Sequence, residues 1–488
     1  TNHAIRLYND LLKRENYDPQ ARPVRRHEDV VVLHMNLSLL QIIDVDEKNQ
    51  ITSLRALVNQ EWRDFNFIWQ PSEYGNITEI YVPSDEIWTP DLVLYNNAGG
   101  DWNLASSSNI KVVVKHDGSI VWKPPIIFQS QCEINVEYFP FDVQNCSLKI
   151  GLWTHNGNLV DLRHTAQNKD SLDTFDNCGR EIDFAIDLSN YLGDVEWDLL
   201  EVRAKRNVVL YLCCQEPYLD IRYFLLLRRK ILFYGVNLIC PCLAISFLTI
   251  LVFYLPADSG EKISLSINVL ISLTVFFMLI FDISPPTSLV VPLILRYLLF
   301  TMILITLSVV MTVIVLNIHW RSPDTQPIPK WVRKVFIEII PGLIFMKKSK
   351  LPSFEGDRMI ERREESNNQI DNYRVDEGFW PKWFSRRRAI NPKHDIHQME
   401  LCLEGCRHIV EHIKKKNIAQ KVRNDWRYIA LVLDRLFLMI FSLVAVIGMI
   451  GIFVQSPTLS DSREPLTATN SPSPESINVT RMKCLYRD

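Results

Sequence analysis

Four long apolar segments, at about 231–255, 263–281, 292–316 and 429–454, most constrain what this chain can fold into. A helix needs about 20 apolar residues to cross the hydrocarbon core of a bilayer. Three of the segments meet that need outright. The second, between Lys262 and Asp282, has nineteen uncharged residues, roughly 28 Å of helix, but is seeded with small polar side chains. Before the first segment the chain alternates like a soluble domain. The expected fold class is therefore α+β and multidomain: an N-terminal antiparallel β-sandwich, a four-helix transmembrane bundle, and a helical or disordered intracellular segment. The expected boundaries are 1–228 for the sandwich, 229–320 for the first three helices, 321–428 for the intracellular part, 429–454 for the fourth helix and 455–488 for a tail. A net charge of −3 over 488 residues excludes nucleic-acid binding by charge.

Val31, Leu33, Met35, Leu37 and Leu39 alternate with polar residues, which predicts a half-buried strand. KVVVKHDGSIVWK at 111–123 predicts two strands around a His-Asp-Gly turn. Residues 1–16 and 396–426 read as helices, the latter running on into the fourth span. KWVRKVFIEII at 330–340 reads as a helix on the membrane surface. The rest of 321–395 and the Ser-, Pro- and Thr-rich tail after 455 read as disordered. The opening TNHAIRLYND lacks a charged n-region followed by an apolar h-region, so the sequence is read as a mature or trimmed form.

Sequons at Asn36, Asn76 and Asn145 all precede the first span, which predicts glycosylation and an oxidising exterior. The triplet Arg228-Arg229-Lys230 flanks that span on the same side, against the positive-inside tendency, and so calls for a specific role. Lys347, Lys348, Lys350, Arg386 to Arg388 and Lys414 to Lys416 follow the third span.

Cys132 and Cys146 enclose thirteen residues centred on Phe139-Pro140-Phe141-Asp142. A disulfide closing a loop of this size contributes roughly 3 kcal/mol, and its apolar tip needs an apolar surface to touch. Such a loop, followed by four spans, resembles the Cys-loop pentameric ligand-gated channels. DSGEKISLSINVLISLTVF at 258–276, IWTPDLVLYN at 87–96, GLWTHNG at 151–157 and VLDRLFLMIFS at 432–442 carry the resemblance to the nicotinic acetylcholine receptor type. It covers nearly the whole chain except about 346–395 and the tail.

At 100° per residue, Glu261, Ser264, Asn268, Ile271, Ser272, Val275, Leu279 and Asp282 fall on one stripe of the second span. Its lower half is polar, its middle apolar and both ends acidic. Copies around an axis would form a water-lined path whose acidic rings pass cations. Ser266 and Thr274 point elsewhere and read as hydrogen-bonding links between helices. The resemblance makes Glu261 the intracellular selectivity ring, and Ile271 and Val275 the hydrophobic gate. Sodium, potassium and, as an open question, calcium are the expected permeant ions.

A quaternary ammonium binds in a box of aromatic faces, each good desolvated contact contributing up to about 2 kcal/mol. The resemblance places Tyr95, Trp153, Tyr211 and Tyr218 on the principal face, with a vicinal Cys213–Cys214 disulfide at the tip of its flap, and makes Trp88 a scaffold residue. The complementary face departs from the family. Leu57 stands where the family usually has Trp, beside Val113, Val121 and Lys123. A cation there suits a ligand that also carries a carboxylate. The sequence is most similar to the nematode choline- and betaine-responding branch, so betaine is the expected agonist, with acetylcholine or choline acting on a heteropentamer as the alternative. Whether the chain forms a homopentamer or a heteropentamer with related subunits stays open.

The resemblance also gives the Arg-Arg-Lys triplet its role. Arg229 pairs with Glu47 at the junction between sandwich and membrane. Phe139, Pro140 and Phe141 press on the linker Ser284-Pro285-Pro286-Thr287, and a Glu47→Arg/Arg229→Glu swap should partly restore gating. Cys178 and Cys484 are left over, as a bridge or as free thiols. Cys402, Cys406, His408 and His412 do not converge on one metal site. No nucleophile–base pair or phosphate loop is evident, so no enzyme and no cofactor are expected. A plasma-membrane location with both termini outside follows, at a neuronal, muscle or postsynaptic surface. A non-channel binding protein is the competing class.

Overall fold

The computed structural model describes residues 2–12, 17–100, 110–166, 181–212, 216–284, 289–321, 328–344, 392–469 and 479–480. Cys178, Cys213, Cys214, Pro285, Pro286, Thr287 and Cys484, with the vicinal disulfide and the linker contact expected of them, lie outside these described residues. The chain divides into two units. One comprises Thr1–Cys242, Thr274–Leu299 and Met449–Asp488; the other comprises Leu243–Leu273 and Phe300–Gly448.

The first unit opens with helix α1 (Asn2–Leu12), which buries Leu7 and Leu11. Two sheets follow. One contains β1 (Val31–Asp46), β2 (Ile51–Ile68), β3 (Glu79–Val82), β5 (Val112–Lys115), β6 (Asp117–Trp122), β7 (Pro125–Gln131), β9 (Val160–His164) and β11 (Ile186–Asp187). The other runs from Val479–Thr480 through β10 (Glu181–Asp183), β12 (Trp197–Leu210), β13 (Pro217–Arg229) and β8 (Val143–Leu152) to β4 (Leu92–Leu94).

Period-2 patterning decides which faces are buried. In β1, Val31, Leu33, Met35, Leu37 and Leu39 are all buried, as their alternation predicts. β5 and β6 form the expected hairpin, and Gly118 turns it with φ +85° where a Cβ would lie 2.7 Å from Asp64 O. The sandwich is not wholly antiparallel, however. β9 and β11 pair parallel to β1, with Val31 opposite Val160 and Leu37 opposite Ile186. Both are separated from β1 in sequence by many residues, so no hairpin imposes antiparallel pairing.

The tail also departs from expectation. Residues 456–466 are held against the domain: Thr458 Oγ1 donates to Phe141 O at 2.7 Å, and Leu466 N donates to Leu199 O at 2.7 Å. Arg228 Nη1 lies 3.7 Å from Asp461 and Arg463 Nη1 lies 3.3 Å from Glu201. Polar composition removed this segment's claim on a core, but charge pairing gives it a fixed place.

Among the described residues, four helices are long and apolar enough to cross a membrane: Leu232–Leu251, Lys262–Ile283, Leu293–His319 and Leu401–Phe453. The last is the apolar end of one 62-residue helix, Pro392–Phe453, which continues through the predicted 396–426 segment. Within the second unit, the helical run from Lys330 to Leu343 does more than lie on a surface. Its Val332 is buried with Val315, Trp426, Ile429 and Leu433, and Phe336 and Ile337 pack against the same cluster.

Candidate functional site

Tyr95 directly follows β4, and Trp153 directly follows β8, its antiparallel neighbour. Their ring centroids lie 6.1 Å apart. Gly151 makes this approach possible, since a Cβ there would come within 2.7 Å of Tyr95 Cε2. Tyr95 donates its hydroxyl to Leu152 O at 2.6 Å. Burial, reinforced by Tyr211, Asp220, Asp91 and Tyr218, pushes its phenol up to about 12, so it stays a neutral donor. Tyr211 and Tyr218 lie 5.7 Å apart, edge to face, beside the connecting loop of the β12–β13 hairpin, near enough to act on the Tyr95 phenol.

Polar contacts aim these rings. Asp91 Oδ2 accepts Thr154 N at 2.6 Å and also the Thr154 hydroxyl, and Asp91 Oδ1 lies 2.9 Å from His155 Nδ1. Burial alone would raise Asp91, but the bonds from His155 and Thr154 hold its carboxyl below the ordinary range. Asp91 O also accepts Trp153 N at 3.1 Å. The loop carrying Trp153 is thereby fixed while the indole stays 59% exposed, an aromatic face left open rather than spent on packing. Lys149 lies 5.0 Å from the Tyr95 ring centroid and 3.7 Å from Asp220. Trp88, by contrast, is buried edge-on against Trp62 and His155.

Leu57, Val113 and Val121 belong to the other sheet, and Lys123 lies just past the end of β6, in the link to β7 rather than on a strand. Val113 is paired with Val121, and Leu57 with Ser38 on one side and Pro125 on the other. All four side chains are at least partly exposed. Ser38 Oγ donates to Asp187 Oδ2 at 2.9 Å. Burial would raise Asp187, but bonds from Ser189 and Ser38 and the charge of Lys123 keep its carboxyl low. The charge of Lys123 therefore already acts on an acid of its own chain.

At the foot of the first unit, Arg229 is completely buried. It reaches Glu47 at 2.6 Å, Asp142 at 2.8 and 3.1 Å, and Glu196 at 3.0 Å. Its guanidinium also stacks 4.2 Å from the Trp197 centroid. Burial works against the charge, but the Asp142 bonds and the charges of Asp142 and Glu47 outweigh it and raise the Arg229 pKa. The Cys132–Cys146 disulfide is present. Phe139, Pro140 and Phe141 at its tip are buried. Phe139 meets Tyr234 edge to face at 5.3 Å, Phe139 O accepts Ile294 N at 3.4 Å, and Phe141 meets Phe453 at 6.0 Å. The tip is thus seated on the ends of the first, third and fourth helices.

Along the second spanning helix, Glu261, Ser264, Asn268, Ile271, Ser272, Val275, Leu279 and Asp282 are all exposed, while Lys262, Ser266, Val269, Leu273 and Ile280 are buried. Ser266 does not link helices through its hydroxyl; it bonds back to Lys262 O at 2.9 Å.

Residues 4–231 match the neurotransmitter-gated ion-channel ligand binding domain, and residues 238–453 match the neurotransmitter-gated ion-channel transmembrane region. The chain belongs to the neurotransmitter-gated ion-channel family. It is 44% identical to a Manduca sexta acetylcholine receptor subunit alpha-like, over 95% of this chain and 92% of that protein. It is 41% identical to the Caenorhabditis elegans acetylcholine receptor subunit alpha-type unc-63, over 95% of each, and 42% identical to the Xenopus laevis acetylcholine receptor subunit alpha-1-B, over 93% of each.

For this channel subunit, a non-enzymatic membrane receptor with an extracellular N-terminal domain, the structure brings together Tyr95, Trp153, Tyr211 and Tyr218, and separately Glu47, Phe139, Pro140, Phe141 and Arg229. It keeps Leu57, Val113 and Val121 on the other sheet, with Lys123 in the adjoining β6–β7 link. Sequence reasoning missed Asp91, Lys149, Gly151, Glu196 and Trp197. The signal for two of these was present: Asp91 and Gly151 lie inside the quoted motifs at 87–96 and 151–157. Asn76 and Asn145 are exposed and Asn36 is half-buried, its Oδ1 accepting Leu37 N at 2.7 Å.

Proposed function

We propose that the chain is a subunit of a pentameric, cation-selective channel opened by acetylcholine, with Tyr95, Trp153, Tyr211 and Tyr218 forming the principal wall of its ligand site. The half-open aromatic cluster around the exposed Trp153 carries this reading, since it presents π faces to a cation. In a site shared between neighbouring subunits, one subunit would supply Tyr95, Trp153, Tyr211 and Tyr218 and the next would supply Leu57, Val113 and Val121 from its other sheet, with Lys123 beside them. Related subunits around an axis would set the Glu261-to-Asp282 stripe along a common ion path, with Glu261 and Asp282 attracting cations and Ile271 and Val275 closing it. The sandwich lies outside the membrane, residues 321–428 inside and 455–488 outside. Asn76 and Asn145 carry glycans, with Asn36 the least accessible of the three sequons.

Betaine is the ligand that Lys123 alone would favour. Asp187 shares that charge, and the relatives above carry the acetylcholine name, so acetylcholine is the better-supported agonist. Expression in oocytes, alone and with a related alpha subunit, with acetylcholine, choline and betaine applied in turn, tests the choice. Acetylcholine currents carried by sodium and potassium are expected. Currents to betaine alone would overturn the agonist, and silence from surface-expressed protein in both arrangements would overturn the channel reading.

A further inference from the structure

Glu261 and Lys262 are adjacent at the start of the second spanning helix, yet their side chains have opposite surroundings. Glu261 is exposed, and among the described residues its carboxylate has no ion-pair or hydrogen-bond partner. Lys262 is fully buried, its Nζ 2.5 Å from Oδ1 of Asp434, a buried residue 172 positions later on the fourth helix. Neighbouring basic side chains of the same unit have partners too. His319 Nε2 lies 2.9 Å and Arg427 Nη2 3.9 Å from Asp258 Oδ1, and Arg435 lies 5.0 Å from the Tyr254 ring centroid.

We propose that Asp434 is a positioning residue for ion selection: it holds the Lys262 ammonium inside the subunit and cancels its charge, so that Glu261 stands as net charge at the inner end of the ion path. The inference rests on the reading of Glu261 as lining that path. Lysine is a point charge on a flexible four-carbon stem. Released from Asp434, it swings toward the carboxylate one residue away and offsets it, and every Glu261 in the ring loses its pull on cations. The apolar helix that follows offers Lys262 no other acid, and removing one partner of a buried pair leaves the other charge uncompensated.

Single-channel recording separates this from a structural role, because a merely structural residue changes how many channels reach the surface and not the current through each. Asp434→Asn should lower unitary cation conductance by about twofold or more, and Asp434→Asn with Lys262→Met should restore it. Unchanged conductance in Asp434→Asn overturns the proposal. Should that variant fail to reach the surface, Lys262→Met/Asp434→Leu keeps the test open, since apolar replacement of a buried pair is commonly tolerated. Its conductance should equal that of the unaltered channel, and a clear rise would mean that Lys262 offsets Glu261 despite Asp434. Glu261→Gln, recorded alongside, tests the underlying reading by itself: if it leaves conductance unchanged, the carboxylate ring fails, whereas a fall with Asp434→Asn unchanged sinks only the role of Asp434.

Discussion

Arg229 and Asp142 are joined at two points, with Nε to Oδ1 at 2.8 Å and Nη2 to Oδ2 at 3.1 Å, inside a pocket that also admits Glu47 and Glu196. Asp142 ends the Phe-Pro-Phe-Asp turn and Arg229 ends the last strand before the membrane. The tip of the disulfide loop and the start of the first span are therefore tied by one charge cluster. A two-point guanidinium–carboxylate pair fixes orientation as well as distance.

This geometry changes the outcome of the charge swap. Glu47→Arg with Arg229→Glu places a new carboxylate against Asp142 and Glu196, so no rescue is expected. Asp142→Asn should be worse than Glu47→Gln, because Asp142 is the more deeply buried and makes the two-point contact. Breaking such a buried pair costs about 3–5 kcal/mol. Surface biotinylation and agonist concentration–response curves of the three variants check the order.

Trp153 and Trp88 should behave as opposites. Trp153→Leu removes an exposed π face, so the agonist concentration for half-maximal current should rise roughly 10- to 30-fold, for a contact of up to about 2 kcal/mol, with surface expression unchanged. Trp88→Leu empties a buried site and costs about 3–5 kcal/mol of stability, by analogy with other large-to-small core changes. It should show chiefly as lost surface protein. Equal loss of expression in both variants would contradict the assignment of Trp153 as an open wall.

Gly151→Ala tests the placing of Tyr95. The added Cβ would meet Tyr95 Cε2 at 2.7 Å and Leu219 O at 2.9 Å. The ring can turn away but the strand carbonyl cannot, so overpacking of about 1–3 kcal/mol is expected. Weaker agonist response together with a lower melting temperature is the expected result. A response identical to that of the unaltered protein would show that the ring has room to spare.

His164 gives the extracellular domain a defined acid sensitivity. Its ring is buried, Nε2 donates to Ala185 O at 2.9 Å, and Nδ1 accepts Ala166 N at 3.2 Å, which fixes the neutral tautomer. Burial lowers its pKa from 6.5 to about 4, against the opposing pull of the Ala185 carbonyl. The unfolded chain therefore takes up a proton that the fold refuses. Stability from this group is full above about pH 6.5 and falls as pH drops toward 4, by about 3 kcal/mol in all. Melting temperatures between pH 7.5 and 4.5 should fall more steeply for the unaltered protein than for His164→Gln. Parallel slopes would remove His164 as the cause.

The parts of the fold legible in sequence are those governed by local period. The four spans follow from length and composition, β1 from alternation over Val31 to Leu39, and the exposed stripe of the second helix from its 100° step. Two walls were legible through short motifs, with Tyr95 in 87–96 and Trp153 in 151–157, each directly after a strand, and Tyr211 and Tyr218 through the resemblance. The contacts that set charge were not. Arg229 meets Asp142 across 87 positions, Lys262 meets Asp434 across 172, and the tail reaches Arg228 across 233.

The sequence by itself determined which segments enter the membrane, which faces are apolar and which side chains carry aromatic or acidic chemistry, because those properties repeat over one turn or one pleat. Only the tertiary structure decided which acid each buried cation meets. That choice depends on desolvation inside packed sites assembled from distant strands and helices, and no periodicity in the chain encodes it.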